Sequence, residues 1–292
     1  MSPSPDPPLS LRQQIQAERW YHTINLPDGS STDGIFDTRA TSRDLPWPTQ
    51  LRAGRCLDIG TCDGFWAFEM EQRGAAEVVA IDVGHASDVD LTWEARLATN
   101  ASTRMPGGTQ AARRFALAHQ ALGSRVRRVE CSVYDLDPAQ HGQFDVVFLG
   151  TLLIHLQDPV RALERVRAVC TGELILVECV DARLDLLSGR VAAAQLSPAP
   201  GQWWRTNTAG LTRVLEIAGF EIMSVSRPFL TPFGPGMTGR GKAWRRPLAA
   251  SMALLRRWPF LARAPGLVRL VGLLGGTYDI VMRARPKTRQ LS

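Results

Sequence analysis

The spacing of apolar and polar residues predicts a short amphipathic helix at 9–19, then a long loop at 20–48 rich in Gly, Pro, Asp, Ser and Thr. From residue 54 the rhythm changes. Short apolar runs at 55–59, 77–81, 126–133, 144–149, 174–180, 221–225 and 278–282 read as strands. Stretches with helical spacing separate most of them, at 64–73, 111–122, 159–169 and 211–218. Continuous apolar runs alternating with helices are what a mostly parallel sheet requires when both of its faces are covered. The expected fold is α/β, a doubly wound, mostly parallel sheet of seven strands. Two segments break the rhythm, the loop at 84–110 and a stretch at 231–276. The organisation expected is a leader, helix and lid loop at 1–50, a core at 51–230, a helical excursion at 231–276 broken at Pro259 and Pro265, and a last strand and tail at 277–292.

Composition narrows the class. With 45% hydrophobic and 21% charged residues the chain is an ordinary globular sequence. Its five cysteines (Cys56, Cys62, Cys131, Cys170, Cys179) show no CxxC pairing, and several sit in apolar strand-like runs. A reducing, cytoplasmic setting is expected, and the first ten residues lack the basic and apolar regions of a signal peptide. Charge is unevenly placed. Residues 231–276 carry eight basic side chains and no acidic one, and 277–292 carry four against Asp279. The whole-chain +6 therefore leaves residues 1–230 at −5, so the basicity belongs to the C-terminal region alone.

The most informative run is CLDIGTCDGFW at 56–66. In an open parallel sheet, ligands bind beyond the carboxyl ends of the strands, and glycines there let the backbone turn tightly. Gly60 and Gly64 are placed for that. A dinucleotide fingerprint would read GxGxxG, but Cys62 and Phe65 stand where the second and third glycines belong. Asp58, two residues before Gly60, suits a positive amino group. Asp82, 22 residues after Gly60, ends the second strand, where a carboxylate can hold both ribose hydroxyls. A ligand with an ammonium, a ribose and no phosphate is S-adenosylmethionine (SAM). The plainer alternative is that both aspartates cap loops.

The stretch LDIGTCDGFWAFEMEQRGAAEVVAIDV resembles motif I and the following strand of the class I SAM-dependent methyltransferases. It most closely resembles the subgroup related to the bacterial enzyme that carboxymethylates wobble uridine in tRNA. WYHTINLPDG, FDVVFLGTLLIHLQDPVRAL and TNTAGLTRVLEIAGFEI share that resemblance, which spans residues 19–230 and the last strand. It implies a Rossmann-like fold with SAM as cofactor. It also implies that Asp58, Gly60, Thr61 and Gly64 surround the methionine end, Asp82 the ribose, and Val83, Ser132, Val133 and Tyr134 the adenine. Leu149 and Gly150 would floor the sulfonium. Two departures stand out. The middle glycine of the family motif is Cys62 here. The lysines by which the tRNA enzyme holds a carboxylated SAM are also missing, since Lys242 and Lys287 lie far downstream and the matching segment offers only Arg39 and Arg43. Ordinary SAM and methyl transfer are expected.

Methyl transfer is an in-line displacement, accelerated largely by holding acceptor and methyl in line, with effective molarities of about 10⁵–10⁸ M. His155, just after the fourth strand, is the candidate base, because a near-neutral pKa suits deprotonation of a hydroxyl; its alternative role is to hydrogen-bond a loop and fix the Asp158-Pro159 turn. Tyr21 and His22 stand either in a lid over the cofactor or as packing and capping residues. Trp203 and Trp204 are either a wall of the acceptor pocket or a core anchor. The scattered histidines show no metal-ligand spacing, and GxSxG is absent. Residues 247–274 contain no run of 18 apolar residues, so no transmembrane segment is expected. Their arginines and aromatics fit a cap over the acceptor pocket, a membrane-surface contact, or an RNA-binding face. The expected function is methyl transfer to a small-molecule acceptor, apolar or aromatic, at oxygen. The alternatives are tRNA modification and a SAM-binding partner without catalysis.

Overall fold

The computed structural model describes residues 9–97, 108–237 and 259–288. The expectations for the leader at 1–8 and for the basic residues between 238 and 258 fall outside them. Eleven strands occur among the described residues: β1 (Trp20–His22), β2 (Gly34–Phe36), β3 (Arg55–Ile59), β4 (Glu77–Asp82), β5 (Arg127–Glu130), β6 (Phe144–Gly150), β7 (Cys170–Asp181), β8 (Ala194–Leu196), β9 (Trp204–Thr206), β10 (Phe220–Val225) and β11 (Thr277–Pro286). Seven form one sheet in the order β10-β11-β7-β6-β3-β4-β5. Neighbouring pairs from β7 to β5 run parallel, and β11 runs antiparallel to both β7 and β10. This is the α/β sheet that the sequence predicts. Its order reverses between β3 and β6, which opens a crevice at the carboxyl ends of those strands.

Strand side chains alternate between faces, and the core divides accordingly. Leu57, Ile59, Val147, Leu149, Leu174 and Leu176 pack on one face with the helices Pro159–Val169, Thr208–Ile217 and Pro265–Gly275. Cys56, Ala80, Val146, Phe148, Ile175, Val177 and Val281 pack on the other. That second face is covered by the helices Phe65–Gln72 and Thr109–Leu122 and by N-terminal residues Ile15, Trp20 and Ile24. Phe148, wholly buried, stacks on Trp66 at 4.5 Å and on Trp47 at 5.9 Å between ring centroids.

Several elements differ from the sequence expectation. The third core strand stops at Glu130, and Val133–Asp135 turn as a 3-10 helix in which the Ser132 hydroxyl accepts the Tyr134 N–H. A Ser that caps its own turn competes with the ladder. The segment at 20–48 is no bare loop, because β1 and β2 pair in parallel and Arg39–Asp44 is helical. The described residues of the loop at 84–110 include a 3-10 turn at Ala86–Asp88 and a helix at Trp93–Leu97. Pro259 opens a 3-10 helix, and Pro265 starts a helix that ends on Gly276 at φ 88°. Proline at a first helical turn and glycine just past the end are the usual punctuation. Among the described residues no helix is long and apolar enough to cross a membrane.

Phe148→Ala removes the centre of the Trp47–Phe148–Trp66 stack and is expected to destabilise the fold by about 3–5 kcal/mol, read from urea unfolding. A cost below ~1 kcal/mol would show that the stack does not hold this face.

Candidate active site

The carboxyl rim of the sheet holds a cavity of about 410 Å³. Strand parity explains its chemistry. Asp58 pairs across the ladder with Ala80 and Phe148, so it continues the face of the buried Cys56, as Asp82 continues that of Ala80 and Gly150 that of Phe148. Cys179 likewise follows Val177, and Asp279, paired with Cys179, precedes Val281. Where the strands end, polar residues and glycine replace apolar ones on that one face. Across the rim the order is Asp279, Cys179, Gly150, Asp58 and Asp82, with Cys131 and Ser132 beyond; all seven line the cavity.

The β3–β4–β5 half is built by the glycine loop. Gly64 sits at φ 93°, and a Cβ there would lie 2.4 Å from Phe68 and 2.8 Å from Phe115, so only glycine starts the helix this close to its neighbours. Cys62 takes φ 52°, an unfavourable setting for a side chain. Its N–H donates to Asp82 Oδ2 at 2.8 Å, while Val83 N–H donates to Oδ1 at 2.8 Å. Burial raises the Asp82 carboxyl against these two donors. Asp82 therefore does cap a loop, as the plainer reading held, yet it also lines the cavity and keeps a free lone pair on each oxygen. Asp58 is 1% exposed, and its Oδ2 has no hydrogen-bond partner among the described residues. Burial pushes its carboxyl up to about 7, outweighing the pull of nearby Thr61 and His22. A buried carboxylate on the cavity wall, with one oxygen lacking a hydrogen-bond partner among the described residues, fits the ammonium of SAM.

Val83, Ser132, Val133 and Tyr134 also line the cavity, as does Gly60. The Tyr134 hydroxyl donates to Asp90 Oδ2 at 2.9 Å and accepts from Asp158 N–H at 3.1 Å, tying the 84–97 segment to the loop after β6. At Gly150 a Cβ would lie 2.9 Å from Phe148 and 3.3 Å from Trp66 Nε1, so the cavity floor admits no side chain there. Three expected cofactor residues do not line the cavity. Leu149 points to the opposite face into the core, Thr61 is buried in the loop, and Gly64 is closed off by Phe68 and Phe115.

The N-terminal segment lies against this rim. Asp63, wholly buried, accepts from Tyr21 N–H at 2.9 Å and His22 N–H at 2.8 Å through Oδ2, and its Oδ1 meets His22 Nδ1 at 2.5 Å. Burial alone would raise this carboxyl, but His22 holds it below its ordinary value. His22 stacks on Phe65 at 5.3 Å, and both Tyr21 and His22 line the cavity. Trp20 takes the packing role, with its indole N–H on Ile15 O at 2.8 Å.

His155 lines the cavity, with Nδ1 2.7 Å from Gly201 O. Burial lowers its pKa, outweighing that carbonyl. The Asp158-Pro159 turn is held without it, because the Asp158 carboxylate caps Arg161 N–H at 3.0 Å. Trp203 and Trp204 do not line the cavity, and anchor loops instead through Asp90 O at 2.7 Å and Gln157 O at 3.0 Å. Neither Arg39 nor Arg43 lines it; Arg39 is held by Asp37 and Asn25. Leu230, together with Thr231, Phe233 and Val271 from the two described ends of the excursion, completes the wall. Sequence reasoning missed Asp63, Cys179 and Asp279, whose partners lie 41 to 100 residues away. No group of residues suited to a metal ion occurs among the described residues.

A parallel sheet with a carboxylate-lined crevice at its switch point defines a nucleoside-binding enzyme of Rossmann-like architecture. The chain belongs to the methyltransferase domain family, whose model matches residues 38–225, more than half of its length. It is a SAM-dependent methyltransferase. The N-terminal domain of EvdMO1, solved with S-adenosylhomocysteine (SAH) and D-fucose, is similar at 16% identity, with 95% of each chain covered and a TM-score of 0.53. A SAM-dependent methyltransferase from Mesorhizobium loti is 14% identical over 85% of this chain and 97% of its own (TM-score 0.48). A Burkholderia thailandensis 1,6-didemethyltoxoflavin N1-methyltransferase is 19% identical over 81% and 72% (TM-score 0.46). A search of curated protein sequences finds no match.

An unfolded aspartate titrates near ~4, so between there and about 7 the folded chain keeps a proton on Asp58 that the unfolded chain has lost. Ionising Asp58 in that window costs stability, and an incoming ammonium reverses the penalty. SAH binding at pH 6 is therefore expected to release close to one proton, seen as an enthalpy that varies with the buffer's ionisation heat, and Asp58→Asn to abolish that release. A buffer-independent enthalpy in the parent protein would contradict the assignment. Asp82→Ala should weaken SAH binding by at least ~1 kcal/mol, and unchanged affinity in the same titration would remove its ribose role.

Proposed function

We propose that the protein transfers the methyl group of SAM to a hydroxyl of a small-molecule acceptor, with His155 as general base. The observation that carries this reading is the setting of His155. Gly201 O can only accept, so the imidazole proton sits on Nδ1 and the Nε2 lone pair is left for the cavity. Burial keeps the ring neutral, which is the form a base needs.

Bound SAM supplies an electrophilic methyl on a positively charged sulfur. Asp58 would hold the ammonium and Asp82 the ribose hydroxyls, with Val83, Ser132, Val133 and Tyr134 around the adenine. Gly150 leaves the floor open where the reacting atoms meet. His155 would take the acceptor proton as the oxygen–methyl bond forms and the sulfur–methyl bond breaks, leaving SAH. The short His22–Asp63 contact fixes the N-terminal segment against the site, so His22 acts by positioning, while Tyr21 faces the acceptor side.

A small acceptor is supported by the volume, which suits a ligand of modest size. The EvdMO1 domain, a similar fold, was crystallised in the presence of SAH and D-fucose, a small molecule of that size class. Ordinary SAM is favoured over a carboxylated form, since Arg39 and Arg43 stand away from the cavity. With a pool of cellular metabolites as acceptors, His155→Ala is expected to cut methyl transfer from SAM by about 10²–10⁴-fold while leaving SAM affinity unchanged. Full transfer by that variant would remove His155 as the base.

A further inference from the structure

The β7–β11 side of the cavity carries polar groups that cofactor binding does not use. Asp279 lies there on the cavity wall, and its carboxylate is unevenly satisfied. Oδ2 accepts Thr231 N–H at 3.0 Å and the Thr231 hydroxyl at 2.7 Å. Among the described residues Oδ1 receives only the Cys179 thiol, at 2.9 Å, and a thiol is a weak donor. Burial accordingly raises the carboxyl despite these bonds. Tyr21 lines the same wall, and its hydroxyl makes no hydrogen bond among the described residues; burial, with Cys62, Cys179, Asp63 and Asp279 nearby, holds it as a neutral phenol. Around these groups the wall is aromatic: Tyr21 meets Phe36 edge-on at 5.1 Å, and Phe36 meets Phe233 at 5.6 Å.

A structural role alone accounts for the Thr231 bonds, which tie the chain after Phe229 to β11. It does not account for a carboxylate turned into a cavity with one oxygen short of a strong donor. We propose that Asp279 and the Tyr21 hydroxyl are the acceptor-recognition site, which takes an O–H or N–H donor on a flat, ring-bearing acceptor. Resting on the methyl-transfer reading, this assigns the acceptor two anchoring features. Its ring packs on Tyr21, Phe36 and Phe233, where aromatic contacts stabilise beyond area alone. Its donor group completes the Oδ1 shell of Asp279. From β11 to β6, whose floor is Gly150, is two strand spacings, ~10 Å. That leaves room for one or two fused rings with the reacting atom turned towards the methyl.

The test reads binding rather than turnover, so it is separate from the test of methyl transfer. SAH-loaded protein is titrated with 4-ethylphenol and with 4-ethylanisole, which share a ring but differ in the donor. The parent protein is expected to bind the phenol at least tenfold more tightly. In Asp279→Asn, whose amide oxygen can still accept from Thr231, the gap is expected to close to within twofold with SAH affinity unchanged. Tyr21→Phe keeps the ring and the fold, and should narrow the gap by a smaller factor. Equal binding of the two probes by the parent protein would overturn the proposal. So would binding of neither, or a tenfold gap that survives in Asp279→Asn. If Asp279→Asn fails to bind SAH, Tyr21→Phe decides: an undiminished gap in it overturns the proposal, and a narrowed one supports it.

Discussion

The site depends on one buried carboxylate, that of Asp63. It sits in the glycine loop yet spends its oxygens on the N-terminal segment, taking the backbone N–H groups of Tyr21 and His22 and the His22 ring. A charge with no exposure persists only when it is paired and hydrogen-bonded, so these three contacts and the wall they build stand together. Tyr21 and His22 are thereby held on the cavity, and with β1 fixed, its partner β2 brings Phe36 into the cavity wall. The loop that shapes the β3–β4 side of the cavity thus also secures the wall of Tyr21 and Phe36.

A second constraint is parity. The strands β3, β4, β6, β7 and β11 bury one face under the helix Phe65–Gln72 and the N-terminal segment, and at the rim that face changes from apolar to polar. Asp58 and Asp82 come from β3 and β4 on one side of the rim, Cys179 and Asp279 from β7 and β11 on the other, and Gly150 from β6 between them. One face of one sheet therefore sets the order of the polar groups along the cavity, and Gly150 is the one rim position among these five that carries no side chain.

The sheet was legible in the sequence because buried parallel strands need continuous apolar runs, and six of the seven core strands fall where such runs do. The third, expected to reach Val133, stops at Glu130, since Ser132 caps a turn that no hydrophobicity pattern reports. The glycine loop was legible through Asp58, Gly60 and Asp82, whose spacing is local to two adjacent strands. Gly64, Thr61 and Leu149 were read as ligand-facing from their place in a motif. Face parity and packing turn Leu149 into the core and close Gly64 behind aromatic rings. Asp63 and Asp279 had no local signal at all. Their partners come from distant elements, and a carboxylate in a loop or near a strand end looks the same whether it caps a turn or lines a cavity.

The destination of the methyl group separates small-molecule transfer from every alternative. Incubation of the protein with methyl-labelled SAM and a cell extract, resolved into metabolites, tRNA and protein, measures this directly. The account predicts label in the metabolites and none in the macromolecules; label in tRNA or protein, or in no fraction, would contradict it.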